Sequence, residues 1–539
     1  MPVPHLRRKP LHAPRGVVAT SQPLAASAGL AILRRGGNAV DAAVATAAAL
    51  AIVQPGSNDI GSDLFAIVWD GTSLHGLNAS GRSPAALTLD AARAGGVAAG
   101  AAFGGAQAEA AVAMPALGWL PVTVPGAPGG WRDLHARFGA LPFAALLEDA
   151  AHYADSGFPV SPTTAHYWER TLAGLGPALE APQHAEWLRV FAPGGRAPRA
   201  GEMFTNPDAA RTLRLIGETG AKSFYSGETA EALADFAART GGLLSFADLA
   251  DHESTWVDPL SVRYRDHEVW ELPPNGQGIA ALQALGILDG FAAPVGLHER
   301  IEAMKLAFAD AHAYVTDPAA MPIAASDLLD PGYLAGRRDL ITDRAGVPAP
   351  GDPARGGTVY LCTADAQGMM VSLIQSNYMG FGSFVVAPGT GFTLQNRGAG
   401  FALEAGHPNA AAPSKRPFHT IIPGFLTRDG AAVGPFGVMG GHMQPQGHLQ
   451  VVMSTVDDGV DPQEALDRRR WYWHAGRAVR AEPGLLDEAG LADLVARGHE
   501  VSMVAESAGF GYGQAIWRSP HGGYVAGTEP RADGVAIGF

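Results

Sequence analysis

The sequence predicts an α+β protein in which helices and sheets stack as helix–sheet–sheet–helix layers. Residues 130–240 have helical spacing with breaks, whereas strands and tight turns dominate after Thr358. Helices return at residues 444–456 and 461–470. Because helices and strands are segregated along the chain, layered packing is favoured over a βαβ repeat.

The first eighty residues alternate between strand and helix patterns. Residues 16–20 predict a buried strand, and the helix predicted over 23–35 ends at Gly36-Gly37. Asn38 or Asp41 can cap the next helix, residues 41–53, whose Ala and Val content indicates burial. The remaining predictions in this region are a loop at 56–63, strands at 64–69 and 74–78, and a polar loop at 79–84, where binding residues often lie.

The middle and the end of the chain supply the other predicted elements. Residues 91–117 predict a flexible or loosely helical insertion, and 122–126 a strand. The later elements are a strand pair around 260–272, a turn at 273–278, helices at 279–290, 298–315 and 333–341, and strands at 358–364, 369–375, 383–387, 420–427, 432–439, 499–504 and 522–526.

Charge, hydropathy and cysteine content exclude several classes of protein. The 539 residues carry a net charge of −14 without a basic block, which argues against a nucleic-acid partner. No secretory signal is seen, and the apolar run at 40–53 is too short to cross a membrane, so we expect a soluble cytoplasmic protein. Cys362 is the only cysteine, and His442 and His448 lack clustered Asp, Glu or Cys neighbours. We therefore expect no metal site and no cofactor.

The stretch around Gly357-Thr358 has two interpretations. A loose run rich in Pro, Gly and Ala ends in a β-branched segment that starts at Thr358, and a turn and a second strand follow. The first interpretation is an ordinary β-hairpin after a linker. The second is that the Gly357–Thr358 bond is cut, so that the new amine of Thr358 can act as the base for its own hydroxyl.

A threonine nucleophile needs a second polar group and an oxyanion hole. Antiparallel pairing returns the polar cluster Gln375-Ser376-Asn377-Tyr378 towards Thr358, and Ser376 is the natural second hydroxyl. Gly440 and Gly441 follow a predicted strand, where backbone N–H groups can face a substrate without a Cβ in the way. Arg416 and His419 have either a structural role or a place in the pocket.

Several segments together resemble the γ-glutamyltranspeptidase family of N-terminal-nucleophile hydrolases, and the resemblance spans nearly the whole chain. The matching segments, in chain order, are Gly36-Gly37-Asn38-Ala39-Val40-Asp41-Ala42-Ala43, Ile60-Gly61 with Phe65, Phe224-Tyr225-Ser226-Gly227, residues 302–310, Lys415-Arg416-Pro417 and Gly440-Gly441. An ordered set of matches is more specific than any one of them. It favours the cleaved interpretation of Thr358.

The resemblance implies a four-layer αββα sandwich built jointly by two fragments of one precursor, a large one of residues 1–357 and a small one of residues 358–539. Self-cleavage between Gly357 and Thr358 would expose the nucleophile, and Thr358 would then carry the acyl group of a small-molecule amide as an ester. The family's second threonine falls on Ser376, and its oxyanion glycines fall on Gly440 and Gly441. The fragments would stay together as a heterodimer, which could associate further into a homo-oligomer.

The substrate-binding positions depart from the family's γ-glutamyl enzymes. The Arg that holds the substrate α-carboxylate there falls on Ser80, with Arg82 two residues further on. The acid that holds the α-amine falls on Gly400, and a Gln three residues earlier falls on Arg397. The family's paired serines fall on His419 and Thr420, and we also expect Asn396 and Tyr378 to contact the substrate.

These departures leave the substrate open. The leading prediction is a self-processing hydrolase or acyltransferase that cleaves amides of γ-glutamyl or related carboxyl-bearing acyl groups. Because the site lacks an acid for an ammonium and gains an Arg, it suits an acyl group with a carboxylate and no amine better. The alternatives are a dicarboxylate-monoamide or cephalosporin (glutaryl) acylase of the same family, and an unprocessed, non-catalytic binding protein.

Overall fold

The structure is a computed structural model, and it describes residues 8–98, 112–347, 357–505 and 507–539. The helices are α1 (Pro23–Arg34), α2 (Ala39–Val53), α3 (Leu89–Ala94), α4 (Ala127–Phe138), α5 (Phe143–Ser156), α6 (Pro162–Leu175), α7 (Ala185–Phe191), α8 (Pro207–Thr219), α9 (Lys222–Ser226), α10 (Glu228–Thr240), α11 (Phe246–Ala250), α12 (Gly278–Asp289), α13 (Leu297–Tyr314), α14 (Pro331–Arg338), α15 (Met443–Val456), α16 (Pro462–Asp467) and α17 (Glu488–Ala496).

The strands alternate with these helices. They are β1 (Leu11–Ala13), β2 (Val17–Thr20), β3 (Asp63–Trp69), β4 (Leu74–Asn78), β5 (Val97–Ala98), β6 (Val112–Ala113), β7 (Phe158–Pro159), β8 (Met203–Phe204), β9 (Thr255–Val257), β10 (Leu260–Tyr264), β11 (His267–Glu271), β12 (Gly357–Ala364), β13 (Met370–Tyr378), β14 (Gly424–Arg428), β15 (Ala431–Met439), β16 (Trp471–Ala475), β17 (Ala478–Ala481), β18 (Glu500–Met503), β19 (Tyr512–Arg518), β20 (Tyr524–Thr528) and β21 (Val535–Gly538).

Two large antiparallel sheets form the centre of the described chain. One has the strand order β1-β20-β19-β15-β14-β11-β10, and the other has the order β21-β2-β12-β13-β3-β4-β9. Strands from before and after Thr358 are interleaved in both sheets, and β12 lies hydrogen-bonded between β2 and β13. A break at Gly357–Thr358 would therefore leave two fragments held by shared sheets.

The alternating faces of the strands explain the four layers. Leu361 and Val371 face a core with α1, α2, α4, α5 and α8, whereas Tyr360 and Cys362 face a second core between the two sheets. A third core lies on the outer face of the sheet that contains β15 and joins it to α12, α13 and α15. The order is helix–sheet–sheet–helix, which confirms the predicted layers.

Helix α2 is capped by its own side chains and buried on every side. Asn38 caps the helix in a reciprocal capping box with Asp41, as the sequence predicted. The Asp41 carboxylate also accepts the backbone N–H groups of Ala140 and Leu141, each at 3.1 Å. The small Ala side chains between residues 39 and 53 let neighbouring elements approach the helix closely.

Two predicted strands are loops. Residues 122–126 belong to no sheet, and their hydrogen bonds go singly to neighbouring segments, as from Val124 N to Arg82 O. Residues 383–387 form a compact turn in which Ser383 and Val385 bond to Leu394 and Phe384 has φ +59°. Apolar residues there pack into the core without a strand neighbour. Of the predicted insertion at 91–117, residues 99–111 lie outside the described residues, and the described part contains the end of α3 and the paired strands β5 and β6.

Membrane insertion is not indicated by the helices. In the part of the chain that the structure describes, none of them combines the length and the apolarity that a bilayer crossing requires.

Candidate active site

The hydroxyl groups of Thr358 and Ser376 meet at the open end of the β12–β13 hairpin. Thr358 Oγ1 lies 3.0 Å from Ser376 Oγ, and both side chains are buried. The Ser376 oxygen also accepts the N–H of Tyr378 at 2.9 Å, which fixes its position. The hairpin register shifts between Gly357 and Val359, so the strand is irregular at the predicted cleavage point.

Gly440 and Gly441 connect β15, which ends at Met439, to α15. Their φ values of +137° and +61° lie in the region that favours glycine. A Cβ built on Gly440 would come within 3.1 Å of the Cα of Gly511. Side chains at these two positions are therefore disfavoured, and the turn leads directly into helix α15.

Contacts between the facing sheets place this turn at the Thr358 end of β12. A Cβ on Gly434 would lie 3.1 Å from the side chain of Met370, and one on Gly437 would lie 2.5 Å from the ring of Tyr360. From Gly434 to Gly437, β15 thus runs towards the N-terminal end of β12. In that direction β15 ends at the glycine turn, and on the facing sheet β12 reaches Thr358.

Gln277 is hydrogen-bonded both to the glycine turn and to the loop that contains His419 and Thr420. Its Nε2 donates to the carbonyl oxygens of Gly441 at 2.8 Å and Thr420 at 2.7 Å. The neighbouring Asn275 accepts the N–H of His419 through its backbone oxygen at 2.8 Å. The turn at residues 273–278 therefore supports the site.

Both ring nitrogens of His419 have protein partners. Nδ1 accepts the N–H of Ile421 at 3.2 Å, so the neutral ring carries its proton on Nε2, which faces Asp63 Oδ2 at 3.1 Å. The other carboxylate oxygen of Asp63 accepts the N–H of Gly81 at 3.1 Å. Asp63 is the cross-strand partner of Ser376, so the pair lies beside the two hydroxyls.

Burial shifts the pKa of both members of this pair. It raises the pKa of Asp63 to about 7, against the opposing charges of Arg397 and Arg416. Burial and the same two guanidinium groups hold the pKa of His419 well below its usual value. The imidazole is therefore neutral at physiological pH.

Arg397 lies on the loop that follows the hairpin, next to Asn396, whose N–H bonds to the backbone oxygen of Asn377. The Arg397 side chain is 1% exposed, and its Nη1 donates to Thr420 Oγ1 at 2.9 Å. Among the described residues, its Nε and Nη2 have no hydrogen-bond partner. Burial lowers the pKa of this guanidinium to about 10, so it stays charged at neutral pH. The guanidinium is therefore a buried positive charge with unused hydrogen-bond donors, which makes it a candidate ligand for an anion.

Tyr378 and Asn396 support this arginine. The guanidinium carbon lies 4.0 Å from the centre of the Tyr378 ring, a cation–π contact. Tyr378 has φ +77°, a strained value for a bulky residue. The Asn396 amide donates to Ala116 O at 2.8 Å and accepts the N–H of Met379 at 3.1 Å. These contacts hold the ring and the loop in place.

Ser80 and Arg82 are placed differently from each other. The Ser80 hydroxyl is buried and donates to Asn78 Oδ1 at 2.7 Å. Arg82 is about half exposed and pairs with Asp317 at 2.6 Å, so its charge is already neutralised. Arg82 is therefore partly exposed and already paired, whereas the buried Arg397 packs on Tyr378, whose backbone N–H bonds to Ser376 Oγ.

One group of possible metal ligands lies elsewhere, between α13 and β18. Ligand atoms of His298, Glu302 and His499 lie within 4.8 Å of one another. However, His298 and His499 are hydrogen-bonded to each other at 2.9 Å, and Lys305 Nζ bonds Glu302 at 2.7 Å. The ammonium group supplies the positive charge that Glu302 needs.

Behind the glycine turn, two histidines lie in an aromatic cluster. His442 stacks on Phe418, and its ring centre lies 5.4 Å from that of His312. Both nitrogens of His312 and Nδ1 of His442 are buried, without a partner among the described residues. Burial, aided by the charge of His407, lowers the pKa of His312 to about 4.

Replacing His312 by Phe is expected to make the protein less sensitive to mild acid. Between about pH 6.5 and pH 4, His312 is protonated in the unfolded chain but neutral in the folded protein. The free energy of unfolding therefore falls as the pH drops from 6.5 towards 4. At pH 5.5 this loss is about 1.4 kcal/mol. The measurement is the drop in Tm between pH 7.5 and 5.5, and an equal drop in both proteins would contradict it.

Sequence reasoning missed Asp63 and Gln277. Asp63 had been placed in a loop, yet it is a buried charge that opens the otherwise apolar strand β3. That sequence contrast was the available signal for Asp63. Gln277 had none, because its partners, Thr420 and Gly441, lie more than 140 residues away.

Comparison with known proteins identifies the family of the chain. A sequence profile of the family described as gamma-glutamyltranspeptidase matches residues 25–539. The chain is 36% identical over 545 residues to the oxamate amidohydrolase proenzyme of Klebsiella pneumoniae, covering 97% of this chain and 98% of that protein. It is 34% identical over 532 residues to the glutathione hydrolase-like YwrD proenzyme of Bacillus subtilis, covering 96% and 97%.

A solved structure has the same fold as this chain. The cephalosporin acylase from Bacillus halodurans superposes with a TM-score of 0.94 at 49% identity, covering 100% of this chain and 98% of that one. The αββα sandwich expected from the sequence is thereby confirmed. The chain belongs to the γ-glutamyltranspeptidase family and is an enzyme of its hydrolase and acyltransferase type.

Proposed function

We propose that this enzyme hydrolyses amides whose acyl group ends in a carboxylate and carries no α-amino group. The observation that carries the proposal is Arg397, which is buried, charged and left with two unpartnered N–H groups among the described residues. A carboxylate is the ligand that a guanidinium binds through two parallel hydrogen bonds. Such a ligand would remove the penalty of the unmade bonds.

The same surroundings disfavour the ammonium of a γ-glutamyl group. Arg397 would repel it, and position 400, where the family's γ-glutamyl enzymes place an acid, is a glycine. The nearby carboxylate of Asp63 is already bonded to Gly81 N and His419 Nε2. Oxamate and cephalosporin appear in the names of two relatives, and oxamate is itself an amide with a carboxylate and no amine.

In the proposed reaction, the free amine of Thr358 takes the proton of its own hydroxyl while Oγ1 attacks the amide carbonyl. The N–H groups of Gly440 and Gly441 stabilise the oxyanion. The C–N bond then breaks, and the proton passes to the leaving amine. Water attacks the resulting ester of Thr358, which releases the acid and restores the hydroxyl. Arg397 holds the far carboxylate throughout, as is expected for orientation by a remote group.

Replacing Ser376 by Ala is expected to slow both self-cleavage and turnover. Its hydroxyl contacts the nucleophile at 3.0 Å, whereas the proposed carboxylate ligand is Arg397, so kcat should fall about 10- to 100-fold with little change in KM. Ser376→Thr keeps the hydroxyl and is the matched control. Steady-state kinetics of a glutaryl anilide measure this, and an unchanged kcat would contradict the assignment.

Product inhibition tests the proposed substrate class. Free glutarate should inhibit hydrolysis of the glutaryl anilide competitively. Pentanoate, which lacks the second carboxylate, and L-glutamate, which adds the amine, should each inhibit at least about tenfold more weakly. Equal inhibition by glutarate and L-glutamate would overturn the proposal.

A further inference from the structure

The adjacent residues His419 and Thr420 contact two groups of opposite charge, Asp63 and Arg397. Thr420 Oγ1 accepts a hydrogen bond from Arg397, and the His419 ring faces Asp63. The charges of Asp63 and Arg397 act on each other, and each shifts the pKa of the other. Nevertheless the free N–H groups of Arg397 have no bond to Asp63.

Such a separation is unusual because a buried guanidinium and a buried carboxylate gain strongly from direct pairing. Arg416, the other guanidinium whose charge acts on Asp63, is not its partner either. Its N–H groups go to Ser80 O at 2.9 Å, Thr255 Oγ1 at 3.1 Å and Glu253 O at 3.2 Å. Asp63 is therefore held by neutral donors.

The imidazole of His419 is suited to this task. Nδ1 is fixed by the N–H of Ile421, so the proton on Nε2 points at Asp63. The ring packs against Phe65 with centres 4.8 Å apart, and it is completely buried. With both nitrogens engaged, the side chain has no polar atom left for a substrate.

We propose that His419 is a positioning residue that keeps Asp63 from pairing with Arg397, so that Arg397 remains open to the carboxylate of the substrate. This inference rests on the proposed function. Without the Nε2 proton, one oxygen of Asp63 would be buried and lack this donor, and Arg397, whose charge acts on Asp63, has two nitrogens without a partner among the described residues. An internal ion pair would then occupy the site of the substrate.

The test compares two side chains of similar size. His419→Leu fills the space of the ring without a donor, whereas His419→Gln retains an N–H that can reach Asp63. The substrates are a glutaryl anilide and the uncharged pentanoyl anilide, and completed self-cleavage reports correct folding. If the Leu variant is not cleaved, His419→Ala replaces it.

For His419→Leu we expect KM for the glutaryl anilide to rise at least tenfold, with kcat and the pentanoyl kinetics changed less than threefold. His419→Gln should keep the wild-type KM. The double variant Asp63→Asn/His419→Leu should recover it to within threefold, because the competing charge is gone. A purely structural role would impair both substrates alike, and the second substitution would not restore KM.

The outcomes separate the two proposals. A wild-type enzyme that does not prefer the glutaryl over the pentanoyl anilide overturns the proposed function and this inference with it. A wild-type enzyme with that preference, combined with an unchanged KM in His419→Leu or no recovery in the double variant, overturns the inference alone.

Discussion

Replacing Thr358 by Ala is expected to leave the purified chain as one uncut polypeptide with no measurable hydrolysis of a glutaryl anilide. The substitution removes Thr358 Oγ1, which lies 3.0 Å from Ser376 Oγ and is the proposed attacking group in both self-cleavage and substrate hydrolysis. A loss of at least about 10³-fold is typical when a nucleophile is removed. Denaturing electrophoresis and an anilide assay measure the two effects.

Two variants serve as controls for this prediction. Thr358→Ser retains a hydroxyl and should still be cleaved, with reduced activity. Cys362→Ala should be cleaved and active, because the thiol is buried in the core between the sheets and burial raises its pKa. Cleaved and active Thr358→Ala protein would contradict the role of this residue.

Replacing Arg397 by Gln is expected to lower kcat/KM for the glutaryl anilide about 10- to 100-fold, mainly through KM. The reason is the loss of a charge-assisted hydrogen bond worth about 1.5–3 kcal/mol to a buried carboxylate. The pentanoyl anilide, which has no carboxylate, should be affected much less. The ratio of kcat/KM for the two substrates is the measurement.

Arg82 provides the comparison for this variant. Its guanidinium is paired with Asp317 and about half exposed, so Arg82→Gln should leave the substrate ratio unchanged. If Arg82→Gln lowered the ratio while Arg397→Gln did not, the carboxylate would bind at the other arginine. An equal fall for both substrates in Arg397→Gln would indicate a structural role.

Much of the fold was predictable because helix caps and hydrophobic periodicity are properties of short sequence segments. The capped, Ala-rich helix α2 and the hairpin that starts at Gly357 appear nearly where the sequence placed them. Residues 383–387 were wrong as a strand because apolar, β-branched residues can be buried in a loop that satisfies its backbone elsewhere. Local patterns do not distinguish these two cases.

The candidate site was predictable only in part, and the reason is distance along the chain. The proximity of Thr358 and Ser376 follows from one hairpin, and the structure places them together. The contact between Asp63 and His419 spans 356 residues, so no local pattern could reveal it. His419 was predicted to bind substrate, yet its ring atoms are all engaged within the protein, which is why we propose a positioning role instead.

The site around Arg397 is proposed to select an acyl group that has a carboxylate and no α-amine. The most direct test is a competition in which the processed enzyme receives equal concentrations of glutaryl and γ-glutamyl anilides with distinguishable leaving groups. The ratio of product formation gives the ratio of kcat/KM. We expect the glutaryl compound to be favoured at least about tenfold, because the ammonium of the γ-glutamyl group would be buried near Arg397 without a carboxylate to pair with it. A clear preference for the γ-glutamyl compound would contradict the claim.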